Sequence, residues 1–372
     1  MSAFAAFLRK NPVFTVAAVL ALFSSFWVPP SAMYLHYINW QVLAVLFCLM
    51  LVVGGWRESG IFAYALTKLL PRLSSTRSLA ALLVLACFFT SMWITNDVSL
   101  LTFVPFSLVA LRGRLSQRQI SVVIVLQTLA ANLGSMCLPV GNPQNLYLYF
   151  RSGMDMLAFV RLLLPYSLLS FLLLLSSLRL IPKRSLHPEE RKKGKPGLTV
   201  KPAALWLLAA LFALSLLTVL HLLDYRLSLG LTVLAIGLWR PRYFRYVDGT
   251  LLLTFVAFFI LVGNLGQLPF FRQLLQGYLA GHEFWLALLT SQVISNVPAA
   301  MLLSGFTTDY EALLLGTDIG GLGTLIASMA SLISYGIYTR AYPRRQGYFL
   351  VVFTLLNLVF LGILLLAYAV IR

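Results

Sequence analysis

The sequence predicts an all-α polytopic membrane protein built from two inverted-topology repeats, and three observations carry that expectation. The 372-residue chain is 60% hydrophobic and only 10% charged, with a mean hydropathy of +0.89, whereas a soluble domain is ~25% charged. Apolar segments of 16 to 25 residues recur along it, the length that crosses a bilayer as a helix. The basic residues also segregate: in the topology below, 23 of the 28 Lys and Arg fall on one face and five on the other. That asymmetry marks the basic face as cytoplasmic. The net charge of +17 therefore reports membrane orientation, and no nucleic-acid partner is expected.

The first span is read at residues 12–28, entering from a cytoplasmic end marked by Arg9 and Lys10. The run lacks a small-residue cleavage site, so it is taken as an uncleaved span. Residues 40–55 return, and 61–70 form a short amphipathic helix along the interface. Residues 80–94 and 98–111 are apolar arms of about fifteen residues flanking Trp93-Ile94-Thr95-Asn96-Asp97. Each arm falls short of the ~20 residues a span needs. Together they predict a re-entrant helical hairpin (80–111), whose non-helical tip is tolerated only against protein or a water-filled cavity. A broken helix follows at 120–149, interrupted at Gly141-Asn142-Pro143, and then a span at 162–181.

The first repeat is thus assigned to 1–181. The linker, 182–201, is basic and is read as a solvated cytoplasmic loop. The second repeat, 202–372, opens with spans at 203–220, 227–239 and 249–263 and an interfacial helix at 269–279. A second hairpin at 284–306 centres on Ile294-Ser295-Asn296-Val297-Pro298. A broken helix at 310–338, interrupted at 316–323, precedes the last span at 348–371. The total is nine crossings with the N-terminus inside and the C-terminus outside. Four crossings in the first half are even in number, so the extra span at 203–220 is what inverts the second half. Weak internal likeness supports the duplication: Asn39-Trp40…Gly54 with Asp248-Gly249…Gly263, Thr95-Asn96 with Ser295-Asn296, and Asn132-Leu133-Gly134-Ser135 with Asp318-Ile319-Gly320-Gly321.

Polar groups at membrane depth are expensive, so the hairpin tips and helix breaks are the candidate site. Asn96 is expected to cap the arm from Val98, and Ser295 or Asn296 the arm near Pro298, where a proline fits an early helical position. Capping alone is the plainer reading. Exposed N–H groups at such ends also bind anions, and tip oxygens suit a hard cation. Substrate contacts are assigned to Thr95, Asn96, Asn142, Pro143, Gln144, Asn145, Ser295, Asn296 and Pro298. Cation coupling is assigned to Asp97, Asn132, Gly134, Gly141, Asp318, Gly320 and Ser328, with Na⁺ at Asn96, Asp97, Asn296 and Asp318. Of eleven acids, only Asp97 and Asp318 fall well inside the predicted bilayer. With no Lys or Arg at that depth, they imply neutralisation by Na⁺ or H⁺. A hydrogen-bonded structural acid is the bland alternative for each.

Other classes find little to rest on. The four histidines (His36, His187, His221, His282) lie in loops or at span ends, and no HExxH occurs, so an enzyme is not expected. No nucleotide-binding glycine-rich loop appears, which points to secondary transport, and no cofactor other than Na⁺ is expected. Cys48, Cys87 and Cys137 sit in apolar segments without CxxC pairing and are read as core residues.

Thr95-Asn96-Asp97-Val98, Gly141-Asn142-Pro143-Gln144-Asn145, Ser295-Asn296-Val297-Pro298 and Ala327-Ser328-Met329-Ala330, in this order, resemble the ion transporter superfamily. That group contains arsenite permeases, divalent-anion/Na⁺ symporters, citrate-type transporters and NhaD-type Na⁺/H⁺ antiporters, and this chain looks most like its small anion-permease-like members. The resemblance implies an inner-membrane homodimer whose mobile domain carries a small anionic substrate by an elevator motion. The family's Ser-Asn-Thr tips map to Thr95-Asn96-Asp97 and Ser295-Asn296-Val297, which both depart at the third position. The substrate class therefore stays open between inorganic oxyanions and di- or tricarboxylates, and Na⁺/H⁺ antiport is the rival.

Overall fold

A computed structural model describes residues 7–8, 11–186 and 202–372; most of the basic linker, with His187, and the Arg9–Lys10 pair lie outside the described residues. The described chain is all-α. The first half contains α1 (Pro12–Ser24), α2 (Met33–Tyr37), α3 (Trp40–Ser59), α4 (Ile61–Leu69), α5 (Thr76–Ile94), α6 (Asn96–Leu111), α7 (Gln117–Ser135), α8 (Pro143–Ser152) and α9 (Met156–Ser177). The second contains α10 (Pro202–Val219), α11 (Tyr225–Trp239), α12 (Gly249–Gln267), α13 (Pro269–Leu279), α14 (Glu283–Ile294), α15 (Asn296–Leu303), α16 (Tyr310–Ile319), α17 (Met329–Ala341) and α18 (Gln346–Ile371). Among the described residues, five helical stretches are long and apolar enough to cross a membrane, including Trp40–Ser59, Gly249–Gln267 and Thr76–Ile94.

Helix starts follow their caps. Asn39 accepts from Val42 N–H at 3.1 Å and opens α3, and Asp248 accepts from Leu251 N–H at 3.0 Å and opens α12. Such side chains satisfy backbone donors that the first turn leaves without partners. Ser75 and Ser78 form a capping box, so α5 starts at Thr76 rather than at 80 and reaches 19 residues. The first hairpin arm is therefore of spanning length, unlike the expected half-helix. The second hairpin is shorter, with arms of 12 and 8 residues, about 18 and 12 Å long.

The breaks also shift. Helix α7 stops at Ser135 and a 3₁₀ turn over Pro139–Gly141 precedes α8, because Pro139 cannot continue a helical ladder. The second break lies at residues 320–328, later than the expected 316–323. Gly316 remains helical; a Cβ there would stand 2.4 Å from the Phe284 carbonyl oxygen. That glycine provides close packing of α16 on α14 rather than an interruption.

The helices sort into two packing groups. Helices α1, α3, α10, α11 and α12 pack on one another, while α5–α9 and α14–α18 form the other group around α7. Helix α7 is buried along nearly its whole length. Each half of the sequence contributes to both groups.

Helices α3 and α12 reveal how the halves relate. Tyr246, two residues before the Asp248 cap, lies against Gly54 of α3, where a Cβ would stand 2.4 Å from the Tyr246 Cβ. Reciprocally, Tyr37, two residues before the Asn39 cap, lies against Gly263 of α12, where a Cβ would stand 2.3 Å from its ring. The start of each helix therefore meets the later part of the other, so the two run antiparallel.

Contacts between helix ends form two sets. In one, Thr76 N–H donates to Arg184 O at 2.9 Å, Tyr338 Oη to Gln117 O at 3.0 Å and Tyr246 Oη to Glu58 at 2.6 Å. The other holds the Arg372–Glu311 ion pair, Thr307 Oγ1 donating to Glu283 at 3.1 Å, and the Phe284–Tyr368 stack at 3.6 Å. The root of the α5–α6 hairpin belongs to the first set and that of α14–α15 to the second. Overpacking costs ~1–3 kcal/mol, so Gly54→Ala and Gly263→Ala should each destabilise by that amount. Gly230→Ala, with nothing from outside its own helical turn within 4 Å of its Cβ position, should not; thermal unfolding of the three variants in detergent checks the difference.

Candidate functional site

The two hairpin tips share one unusual backbone. Thr95 has φ 68° and ψ 149°, and Ser295 has φ 75° and ψ 154°, a region that non-glycine residues avoid at a cost of ~1–3 kcal/mol each. Both sharply reverse the chain. The residue after each is an asparagine whose Oδ1 accepts the next N–H: Asn96 from Asp97 at 2.9 Å, Asn296 from Val297 at 3.0 Å. Asn96 and Asn296 are thus the first residues of α6 and α15, and Thr95 and Ser295 occupy the cap positions without side-chain cap bonds. Pro298 stands third in α15, still within the turn whose N–H groups lack helical acceptors.

The arms seat alike on the broken helices. A Cβ on Gly134 would meet the Phe88 carbonyl oxygen at 2.2 Å and Ser91 Oγ at 2.7 Å; one on Gly320 would meet Leu288 Cα at 2.9 Å and Ser291 Cβ at 3.1 Å. These glycines let α5 and α14 approach the breaks at backbone distance.

Asn132 is the hub of the first polar chain. Its Oδ1 accepts from Asn96 Nδ2 at 3.2 Å and from Ser328 Oγ at 3.0 Å, joining tip, α7 and the start of α17. Thr128 Oγ1 donates to Ser334 Oγ at 2.7 Å one helical turn away. The second chain centres on Asn142. Its Oδ1 caps α8 by accepting from Asn145 N–H at 2.8 Å, and its Nδ2 donates to Asp318 Oδ1 and Ser135 Oγ, both at 3.3 Å. Gln144 and Asn145 also approach the Asp318 carboxylate, and Pro143 takes the first position of α8. Gly141 passes so near Ser135 that a Cβ would stand 2.0 Å from its carbonyl oxygen.

The second tip meets the same region. Asn296 N–H donates to Ala327 O at 3.0 Å, one residue before Ser328, which binds Asn132. A Cβ on Gly321 would stand 3.0 Å from Asn296 Nδ2 and 3.2 Å from Asp318 O. The segment Ala327–Ser328 is therefore touched directly by one tip and, through Asn132, by the other.

Asp97 and Asp318 are not brought together. Asp318 is buried among amides, whereas Asp97 is half-buried at the first tip, within electrostatic range of Asp248. Each has one buried oxygen without a hydrogen-bond partner among the described residues, Asp97 Oδ1 and Asp318 Oδ2, as has Asn145 Oδ1. Oxygens of this kind suit a hard monovalent cation or a proton. Among the described residues no cluster of three or more His, Cys, Asp or Glu occurs.

Sequence reasoning missed Gln292. Its Nε2 donates to Gly320 O at 2.8 Å and Leu322 O at 3.0 Å, and its Oε1 accepts from Thr324 N–H at 2.9 Å. One amide thus holds the unwound segment after α16. Its signal was a lone glutamine in an apolar arm three residues before the tip.

A citrate transporter family model matches residues 3–309. The inner membrane protein YbiR of Escherichia coli is 32% identical over 340 residues, covering 88% of each chain. An uncharacterized transporter of Methanocaldococcus jannaschii is 32% identical over 303 residues, covering 80% of this chain and 81% of that one. A putative transporter, arsB, of Dictyostelium discoideum is 27% identical over 132 residues, 36% of this chain and 23% of that one.

The Asn132 hub makes a stability prediction. Asn132→Ala strands the Asn96 amide and the Ser328 hydroxyl and should destabilise by about 1–3 kcal/mol, whereas Asn132→Asp keeps both acceptor bonds. Equal melting temperatures for the alanine variant and the wild type in detergent would remove Asn132 from this role.

Proposed function

We infer the function of the chain from its family: it belongs to the citrate transporter family and is a multi-pass membrane transporter of the citrate and arsenite permease type. We propose that it moves an anion, an inorganic oxyanion or a di- or tricarboxylate, across the cytoplasmic membrane by symport with Na⁺ or H⁺. The observation that carries this reading is the pair of matched tips, Thr95–Asn96 and Ser295–Asn296, converging on Ala327–Ser328. Two helix N-termini aimed at one unwound segment present N–H groups to an anion, while the freed carbonyls and carboxylate oxygens serve the cation.

The hairpins insert from opposite faces as parts of inverted repeats, the first from the cytoplasm and the second from outside. Support comes from the antiparallel α3–α12 pair with its reciprocal tyrosine–glycine contacts, and from the two sets of end contacts. The two packing groups fit an elevator: α5–α9 with α14–α18 as the mobile group, the others as scaffold and as the face that meets a second copy in a homodimer. The N-terminus is cytoplasmic and the C-terminus outside, following the charge asymmetry.

The rival reading, Na⁺/H⁺ antiport, draws on the partnerless oxygens of Asp97 and Asp318. Reconstitution separates the two. Citrate, phosphate and arsenate uptake should be followed in liposomes under imposed Na⁺ or H⁺ gradients. Symport predicts uptake of one anion and its loss in Asn96→Ala plus Asn296→Ala; each hydrogen bond to a charge is worth ~1.5–3 kcal/mol, about 10- to 100-fold in affinity. Collapse of a pH difference by Na⁺ with no anion moved would give the function to the antiporter. For coupling, Asp97→Asn or Asp318→Asn should change the ion dependence of whichever flux is found; unaltered dependence in both removes the two acids from coupling.

A further inference from the structure

A second polar feature lies at the end of the bundle that the charge asymmetry assigns to the outer face. A cavity of about 320 Å³ opens between the two packing groups, at the lower end of the ~300–1,000 Å³ range of small-molecule sites. Arg151 at the end of α8 belongs to one group, and Arg272 on α13 belongs with α12 to the other. His36 and Gln276 add polar groups, and no Asp or Glu is among the described lining residues. Neither guanidinium forms an ion pair or a hydrogen bond with a described residue.

Two of the five basic residues that the topology puts outside thus face one cavity. An arginine in the last turn of a helix is commonly explained by the helix dipole, and Arg151 fits that account. Arg272 does not, because it stands in the first turn of α13, where the dipole disfavours a cation. Something other than local helix stability sets its place.

The cavity is also connected to the polar core by its own walls. Helix α8 starts at the Asn142–Asp318 bond and carries Arg151 in its last turn; its ten residues span about 15 Å. Helix α15 starts at Asn296, and Met301 within it and Gly305 just beyond it line the cavity. Tyr147 lines it too, and its hydroxyl lies 2.7 Å from Ser304 Oγ, fastening the two short helices together.

We propose that this cavity is an outer anion-collecting site, in which Arg151 and Arg272, one from each packing group, hold a small carboxylate or oxyanion before it reaches the tips. Guanidinium forks suit both chemistries through paired hydrogen bonds. The location outside rests on the topology proposed above; the ligand chemistry rests on the two arginines alone.

The test is chemical footprinting of the full-length protein in detergent. Phenylglyoxal modification of each arginine is read by mass spectrometry in citrate, in phosphate, and in chloride of matched ionic strength, with exposed Arg226 as internal control. Citrate or phosphate should slow modification of both Arg151 and Arg272, by about 10-fold at ten times the half-protecting concentration, and leave Arg226 unchanged. Which anion protects tells carboxylate from inorganic oxyanion. Arg272→Gln should weaken protection at Arg151, since the two share one ligand. Equal modification in all three solutions, or protection of Arg151 indifferent to Arg272→Gln, overturns the site. Protection without transport of any anion by the wild type keeps the site and rejects anion symport instead.

Discussion

Four helices end inside this bundle, at Ile94, Ser135, Ile294 and Ile319, and each leaves carbonyl groups without helical partners. In water such groups are solvated; inside a membrane protein they need partners from the protein or a water-filled cavity. The rest of the structure follows from meeting that demand. Asn145 Nδ2 takes the Met136 carbonyl at 3.2 Å, Gln292 takes those of Gly320 and Leu322, and Asn296 N–H takes that of Ala327. Each partner comes from across a helix break. The breaks hold one another, and the strained Thr95 and Ser295 persist because both flanking arms are fixed by packing.

The two halves meet this demand with one geometry and different chemistry. The tips match within a few degrees of φ and ψ, and the serines Ser91 and Ser291 face the equivalent glycines Gly134 and Gly320. Two residues before each seat, Asn132 stands in one half and Asp318 in the other; the third tip position is Asp97 in the first half and Val297 in the second. Charge is thus placed unevenly on a near-symmetric frame. Under the symport proposed above, such a frame would bind the cation on one side and the anion between the tips without two identical sites competing for either.

Much of the architecture was legible because hydropathy and caps are local. Asn39, Ser116, Asn142 and Asp248 cap helices by bonds within three residues of themselves, and Gly141-Asn142-Pro143 marks a start that no tertiary contact needs to specify. The exact breaks were less readable. Gly316 looks like an interruption in sequence, yet its role depends on α14 packing against it. The shared backbone of Thr95 and Ser295 carries no compositional signal, since neither residue is a glycine. Asp97 and Asp318 looked like a pair because both are acids in apolar runs; which amides surround each depends on the crossing of α7, α8 and α16. Gln292 was passed over because its partners lie about thirty residues away.

The opposed insertion of the two hairpins underlies both the transport reading and the outer site, and one measurement tests it most directly. Single cysteines at Arg112, beside the root of the first hairpin, and at Thr308, beside that of the second, are both exposed, while Cys48, Cys87 and Cys137 are buried. A membrane-impermeant maleimide applied to right-side-out and to inverted vesicles should label Thr308→Cys only from outside and Arg112→Cys only from the cytoplasmic face. Labelling of both from the same face would contradict the inverted arrangement on which the account depends.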